Sequence, residues 1–330
     1  MARIAPLFAL GLALVAVTGG CSETLDAGTN HKDGLLPVDE RNPLVVINDW
    51  AYDNWFGEYA VLLANGGGPP LAGIIVNTTS VWPDIQKNVT GWRDLVAAAR
   101  ASGLQNLPDP QTSVGARLVM PPSGNIDDTH PNRSEGALFI VNESKTLSLP
   151  NRPMVVATGD GLTDVADAYL IDHSVTERVV VIASLGGTTA SGASMGAPNG
   201  DEDPWADTIV ANRFRYIQVS AFYNQQADVP AAKVAQLPAN PFGAWMAAKQ
   251  PNLWQWFPAS DQVAVLAVGV PTFANSVARV AADPSLSAGA TVGPGLGMAQ
   301  EGRGWLVNGC DGQAASARLW ELLSHMPPSP

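Results

Sequence analysis

The sequence predicts an α/β fold with an open, mostly parallel, doubly wound sheet and helices on both faces. Short uninterrupted apolar runs recur at residues 44–47, 71–76, 154–157, 179–183 and 216–219. Segments with helical spacing lie between them, at 55–64, 89–101, 162–171 and 205–212. Such a run is too short for a helix and too continuous for a half-exposed strand, so it reads as a strand covered on both faces. Parallel sheets flanked by helices need strands of this kind. With 330 residues, 46% of them hydrophobic, the chain can fill one large α/β domain or two smaller ones.

Taken in order, the run Leu44, Val45, Val46, Ile47 is a strand that ends abruptly at Asn48 and Asp49. A helix over 55–64 and a strand over 71–76 follow. The next helix, 89–101, shows its apolar face in Val89, Trp92, Leu95, Val96 and Ala99. Residues 103–153 break the rhythm. They are rich in Pro, Asn, Ser and Asp and read as an irregular surface excursion near the site. The strand at 154–157 runs through Thr158-Gly159 into a helix over 162–171, and a strand at 179–183 follows. Residues 184–204 are loop-like and come directly after a strand, which puts them at the edge of the sheet where ligands bind. A helix over 205–212 and a strand over 216–219 come next. Residues 230–260, rich in Pro, Trp and Ala, suit short helices, and the C-terminal part suits a strand and a closing helix. No internal repeat is present.

The first residues stand apart from this fold. Arg3 opens a short basic start, Pro6 to Val17 is apolar but too short to span a membrane as a stable helix, and small residues precede Cys21. This is the pattern of an export signal. Thr18-Gly19-Gly20-Cys21 resembles a bacterial lipobox, in which the Cys becomes a lipidated N-terminus in the cell envelope. The usual Leu three places before the Cys is missing, which leaves an ordinary cleaved signal as the alternative. Residues 22–41 are polar and read as a flexible tether, with the folded domain over 42–326. No other segment is long and apolar enough to cross a membrane, so membrane association is expected only through a lipid on Cys21.

The net charge of −12 argues against a nucleic-acid partner, because phosphate would be repelled. Cys21 and Cys310 are the only cysteines, so a thiolate zinc site is excluded, and Cys310 reads as a core or near-core thiol. The four His (His31, His130, His173, His325) show no metal-ligand spacing; His130 alone is expected within reach of the site, on its loop. Signatures of a G-x-S-x-G hydrolase, a P-loop and a G-x-G-x-x-G dinucleotide site are absent. Of the ten Trp, Trp50, Trp55, Trp82, Trp205, Trp254 and Trp256 fall near strand ends or site loops, where packing in core or lid competes with stacking on a base or sugar.

Chemistry concentrates at three places. Asp49 and Asp53, with Asn54, follow the first strand; a hard cation would relieve their repulsion, and helix capping is the simpler alternative. Residues 154–171, MVVATGDGLTDVADAYLI, form a strand–Gly–helix turn that exposes backbone groups. In FPASDQVAVLAV, residues 257–268, Asp261 opens an apolar helix.

In this order and spacing the three stretches resemble the nucleoside hydrolase family (inosine–uridine preferring type). Ile47-Asn48-Asp49-Trp50-Ala51-Tyr52-Asp53-Asn54 falls on its Asp-x-Asp-Pro-Gly-x-Asp-Asp cluster, keeping the second and third acids. Ala157-Thr158-Gly159-Asp160-Gly161-Leu162-Thr163-Asp164-Val165-Ala166 falls on its Ala-Thr-Gly-x-Leu-Thr-Asn-x-Ala, with one residue inserted and Asp for Asn. Ser260-Asp261 falls on its late His-Asp. The resemblance spans roughly residues 42–325 and is weak over 103–150 and 270–300.

The resemblance implies a nucleoside hydrolase-like fold and a Ca2+ ion at the bottom of a ribose pocket. Asp49 would bind the ion and activate the attacking water. Asn54, the Thr158 carbonyl and Asp261 would complete the shell, and Asp53 would accept a hydrogen bond from the ribose 2′-hydroxyl. Asn199, Glu202 and Asp203 stand where the family contacts sugar hydroxyls, with an exposed acidic loop as the alternative. The implied reaction is N-glycosidic hydrolysis of a nucleoside or related ribosyl compound to ribose and base, through an oxocarbenium-like centre that carboxylates stabilise. Asn54 in place of Asp removes a charge from the shell, and Ser260 in place of His removes a proton donor for the leaving base. These departures keep two other readings open, a catalytically weak or inactive ribosyl- or polyol-binding protein and an enzyme for another glycoside. The oligomeric state is left open.

Overall fold

The computed structural model describes residues 35–51, 55–184, 198–219, 235–253, 261–270, 273–285 and 291–326. The elements run β1 (Leu44–Asn48), α1 (Phe56–Asn65), β2 (Leu71–Val76), α2 (Ile85–Ala101), β3 (Pro110–Thr112), α3 (Glu135–Leu147), β4 (Met154–Thr158), α4 (Thr163–Ile171), α5 (Val175–Arg178) and β5 (Val179–Ser184). They continue with α6 (Pro198–Glu202), α7 (Pro204–Arg213), β6 (Arg215–Val219), α8 (Pro241–Leu253), α9 (Gln262–Gly269), β7 (Ala274–Asp283), β8 (Gly295–Met298), β9 (Gly304–Cys310) and α10 (Gly312–Ser324).

Among the described residues the strands form one sheet in the order β3-β2-β1-β4-β5-β6-β9-β7-β8. Every pairing from β3 across to β9 is parallel. β7 runs antiparallel to both β9 and β8. The chain builds outward from β1 through β2 to β3, then returns to lay β4 on the other side of β1. The order therefore reverses beside β1, and a crevice opens at the carboxyl ends of β1 and β4.

Alternation along the strands divides the core. On β1, Leu44 and Val46 join Phe56, Leu63 and Val265 under α1 and α9, while Val45 and Ile47 join Ile140, Val165 and Ile209 under α3, α4 and α7. Each of these side chains is fully buried. A strand with both faces covered has no position for a polar residue until it leaves the sheet, which accounts for the continuous apolar runs. Leu36 and Val38 are buried in the same core as α1, so packing begins ahead of residue 42.

The expected strands and helices occur within a few residues of their expected bounds. The reading of 103–153 as an irregular excursion is corrected: the segment holds the edge strand β3 and the 13-residue helix α3. β3 is only three residues long and begins at a proline, tolerable at the sheet edge. The Ser134 side chain caps α3 by accepting from the Ala137 amide, and its apolar positions Ala137, Ile140 and Val141 are buried. The β7–β8 pair was not legible as strands. No helix among the described residues is long and apolar enough to cross a membrane.

One buried acid sets up a test of stability. Asp207 on α7 is fully buried, and neither carboxylate oxygen has a hydrogen-bond partner among the described residues. Burial, reinforced by the Asp203 and Asp201 carboxylates, holds its pKa well above the usual carboxylate range. The folded state thus keeps a proton that the unfolded chain releases. The stability this provides is full below the ordinary carboxylate range and is lost as pH rises toward the raised value. Asp207→Asn is expected to increase the unfolding free energy at neutral pH by about 1–3 kcal/mol. The gain should shrink as pH falls to about 4, as read by denaturant unfolding at both pH values.

Candidate active site

The candidate site is assembled where β1 and β4 end. Asn48 and Asp49 are both buried there. The Asn48 Oδ1 accepts from the Asp49 amide at 2.9 Å, while its Nδ2 has no partner among the described residues. Asp49 Oδ1 accepts from the Trp50 amide, and Oδ2 accepts the Thr79 hydroxyl from the loop after β2. Thr79 Oγ1 in turn accepts from the Trp82 amide at 3.0 Å. That loop is clamped by the buried Asn88 of α2, whose Nδ2 donates to the carbonyls of Asn77 at 3.0 Å and Trp82 at 2.9 Å.

At the end of β4 the Thr158 hydroxyl donates to the Asp160 carbonyl and accepts from the Asp160 amide, both at 3.0 Å, folding the chain into a tight turn. Gly159 is required by close approach. A Cβ there would lie 2.4 Å from the Cβ of Asp261 and 3.2 Å from Asn48 Nδ2. Asp261, at the start of α9, is buried against this glycine. The Asn199 amide joins it to the sheet, donating to the Ser184 carbonyl of β5 at 2.9 Å and to Asp261 Oδ1 at 3.2 Å.

Asp160 is the acid that reading by sequence left without a role. Its side chain is 1% exposed. Oδ1 accepts from the Gly161 amide at 2.6 Å, and Oδ2 has no hydrogen-bond partner among the described residues. Burial first, then the neighbouring Asp49 carboxylate, holds its pKa well above the usual range. Asp160 lines a cavity of about 260 Å³ with Asn77, Thr79, Ser113, Arg117, Asp164 and Glu202 among its other walls. Asp164 is also raised by burial, against the opposing hydrogen bonds from Ser134 and Ser113. Those bonds measure 2.7 and 2.8 Å, and Ser134 Oγ also reaches Asp167 Oδ2 at 3.0 Å.

The other expected sugar contacts are committed within the protein. Glu202 Oε1 accepts from the amide and hydroxyl of Ser80, and Oε2 lies 3.4 Å from the Arg117 guanidinium. Asp203 caps α7: Oδ1 accepts from the Ala206 amide at 3.1 Å, and Oδ2 from the Leu118 amide at 2.9 Å and the Thr163 hydroxyl at 2.8 Å. Asp53, Asn54, Ser260, Trp254 and Trp256 lie outside the described residues. Beside Asp49 the rings of Trp50 and Trp82 lie 3.8 Å apart, with Lys87 Nζ 4.0 Å over Trp50, whereas Trp55 is buried in the core. Trp205 is also buried, its Nε1 donating to Thr129 at 3.0 Å. His130 is exposed, and His173 stacks on Tyr169 with centroids 4.4 Å apart. Cys310 is buried, its thiol pushed up to about 11 by burial and Asp311.

Among the described residues no three His, Cys, Asp or Glu side chains converge closely enough to hold an ion by themselves. In chemistry, however, the donors at the turn suit a hard cation. They are all oxygens, they include like charges set side by side, and one buried carboxylate oxygen is unpartnered.

Structural comparison places this architecture. The chain has a nucleoside hydrolase-like fold. A purine-preferring ribonucleoside hydrolase from Gardnerella vaginalis superposes with a TM-score of 0.56 at 13% identity, covering 85% of this chain and 98% of that one. An inosine-uridine preferring nucleoside hydrolase from Bacillus anthracis gives 0.56 at 12% identity, covering 86% and 98%. The type III effector protein XopQ, in complex with adenosine diphosphate ribose, gives 0.56 at 12% identity, covering 87% and 95%. Neither a protein-family model nor a curated protein sequence matches the chain. On this fold Asp261 of α9 packs on the β4 turn beside Asn48 of β1, although 212 positions separate Asp49 from Asp261 in the sequence.

Two substitutions test how the site is held. Asn88→Ala removes both carbonyl contacts and is expected to cost about 1–3 kcal/mol, loosening the loop that carries Thr79. Hydrogen exchange should show lost protection at the Trp82 amide with the strand amides unchanged. Gly159→Ala forces Asp261 away from the turn. It is expected to lower the melting temperature, and retention of wild-type stability would show that the close approach is not fixed.

Proposed function

We propose that the protein hydrolyses the N-glycosidic bond of a nucleoside or related ribosyl compound, releasing ribose and base, with a Ca2+ ion at the carboxyl edge of the sheet. The observation that carries this reading is the seating of Asp261 and Asn48 against the Gly159 turn, with the Asp49 carboxylate neighbouring Asp160 on the same turn, at the point where strand order reverses on a nucleoside hydrolase-like fold. Solved structures of that fold include proteins titled as nucleoside hydrolases and one holding adenosine diphosphate ribose, which supports a small ribosyl ligand.

Asp49, Thr158 and Asp261, with Asn54, would hold the ion, which when bound would lower the pKa of an attacking water and anchor sugar hydroxyls. Asp49 orients that water and takes its proton. It is already fixed for this by Thr79 and the Trp50 amide. The negative field of Asp49, Asp160 and Glu202 favours the positive charge that develops on the sugar. Asn199 positions Asp261, and Asp53 is assigned to the 2′-hydroxyl. The signal-like residues 1–21 support export of the protein, and lipid attachment at Cys21 is part of this proposal, with an ordinary cleaved signal as the alternative.

One observation favours a second reading, a ribosyl- or polyol-binding protein on the same fold. Glu202 and Asp203 already spend their oxygens on Ser80, Arg117, Leu118, Thr163 and Ala206. Ribose release from a panel of purine and pyrimidine nucleosides, with calcium and then with a chelator, separates the two. The enzyme reading expects release that the chelator abolishes and that Asp49→Ala lowers by about 10²–10⁴-fold. Ligand binding without release from any nucleoside would move the assignment to the binding protein or to another glycoside. Asn54→Asp is expected to tighten calcium; unchanged affinity would remove Asn54 from the shell.

A further inference from the structure

Resting on the reading above, we propose that Asp160, in the β4 turn, is itself a cation ligand, forming with Asp49 the charged pair on which the ion rests. The resemblance gives this position no role. Three independent observations point to one. Asp160 is 1% exposed, and one carboxylate oxygen is left without a hydrogen-bond partner, although such an orphan costs about 1–3 kcal/mol or more. Its nearest charged neighbours are acids, namely Asp49, Glu202 and Asp164. Arg117, the one cation among the residues lining the cavity, is largely exposed and turned to Glu202. A buried carboxylate beside other carboxylates is favourable only when a cation or a proton joins it.

The geometry of the turn holds the side chain in place. Thr158 Oγ1 binds both the amide and the carbonyl of Asp160, and the Gly161 amide fixes Oδ1. Oδ2 is left without a partner, and Asp160 forms part of the cavity wall. Asp160 also restores charge. In sequence, Asn54 brings a neutral amide where the family pattern has an acid, and Asp160 returns a carboxylate from the turn after β4. Ligand charge count tunes calcium affinity, so this exchange keeps a calcium site with its ligands rearranged. Asn77, Thr78, Thr79 and Ser80 line the same cavity as Asp160, and their side chains carry oxygens of the kind that bind Ca2+.

The test is calcium titration of the purified protein by calorimetry, with terbium luminescence as a second probe. Wild type, Asp160→Asn, Asp160→Ser, Asp49→Asn and Asp207→Asn are compared. Asp160→Asn keeps an acceptor for the Gly161 amide and is expected to weaken calcium by about 10- to 100-fold. Without calcium it should melt at or above the wild-type temperature, because a buried repulsion is gone, while its calcium-induced shift in melting temperature is largely lost. Asp160→Ser should behave alike and keeps the test standing if one variant folds badly. Asp207→Asn, which replaces a buried acid outside the site, should leave calcium affinity unchanged. Wild-type affinity in both Asp160 variants, with affinity lost in Asp49→Asn, would overturn this inference and leave the calcium reading intact. No calcium binding by the wild-type protein would overturn both. Equal weakening by Asp207→Asn would also overturn the inference, since the effect would then follow from replacing any buried acid and not from ligation.

Discussion

Strand β1 is hydrogen-bonded along both edges and covered on both faces, and the candidate site depends on where it stops. Within the sheet every backbone group has a partner strand and every side chain an apolar layer. At Asn48 and Asp49 that environment ends while water is still excluded. Carboxylates placed there are neither solvated nor surrounded by hydrocarbon, so their charge must be met by oriented hydrogen bonds or by an ion. The neighbouring parallel strand ends at the same level, since Ile47 pairs with Thr158. Two chain ends therefore deliver their acids to one point.

The surrounding structure meets part of that charge and leaves part of it. Asp49 is held by Thr79, Asp261 by Asn199, Asp164 by two serines, and Asp203 by amides and a hydroxyl. Each is a local solution built from hydroxyl or amide donors. Asp160 receives only one such donor for its two oxygens. The loops that supply the donors are held by side chains outside the pocket, as Asn88 shows by gripping both ends of the turn that carries Thr79. Rigidity at the rim thus comes from helix α2 and not from the loop's own sequence. Glu202 links three segments, through Ser80, Arg117 and its own helix, and so closes one side of the cavity.

Much of the architecture was legible because burial on two faces leaves a simple mark. Continuous apolar runs identified β1, β2, β4, β5 and β6 within a residue of their bounds. The mark fails at edges. β3 has three residues and a proline, and the β7–β8 pair contains alanines, serines and glycines, so neither stands out from loop composition. The helix α3 was hidden in a segment whose prolines and asparagines dominate its average, although its own apolar positions are ordinary. At the site, Asp49, Thr158, Asn199 and Asp261 were named from the motif resemblance. Asp160 stood in the quoted motif without a role, and nothing in one sequence tells a ligand from a spacer.

The sequence by itself determined the alternation of buried strands and helices, the acids at strand ends, the excess of negative charge and the signal-like start. These follow from local composition and periodicity, which act over a few residues. Only the tertiary structure decided which acids share a site, and which of them are already satisfied. Asp203 and Asp160 look alike in the sequence. One is a helix cap with both oxygens bonded, and the other is a buried carboxylate with an oxygen to spare. The difference arises because hydrogen bonds and repulsion act across a few ångströms, between segments that the chain order keeps far apart.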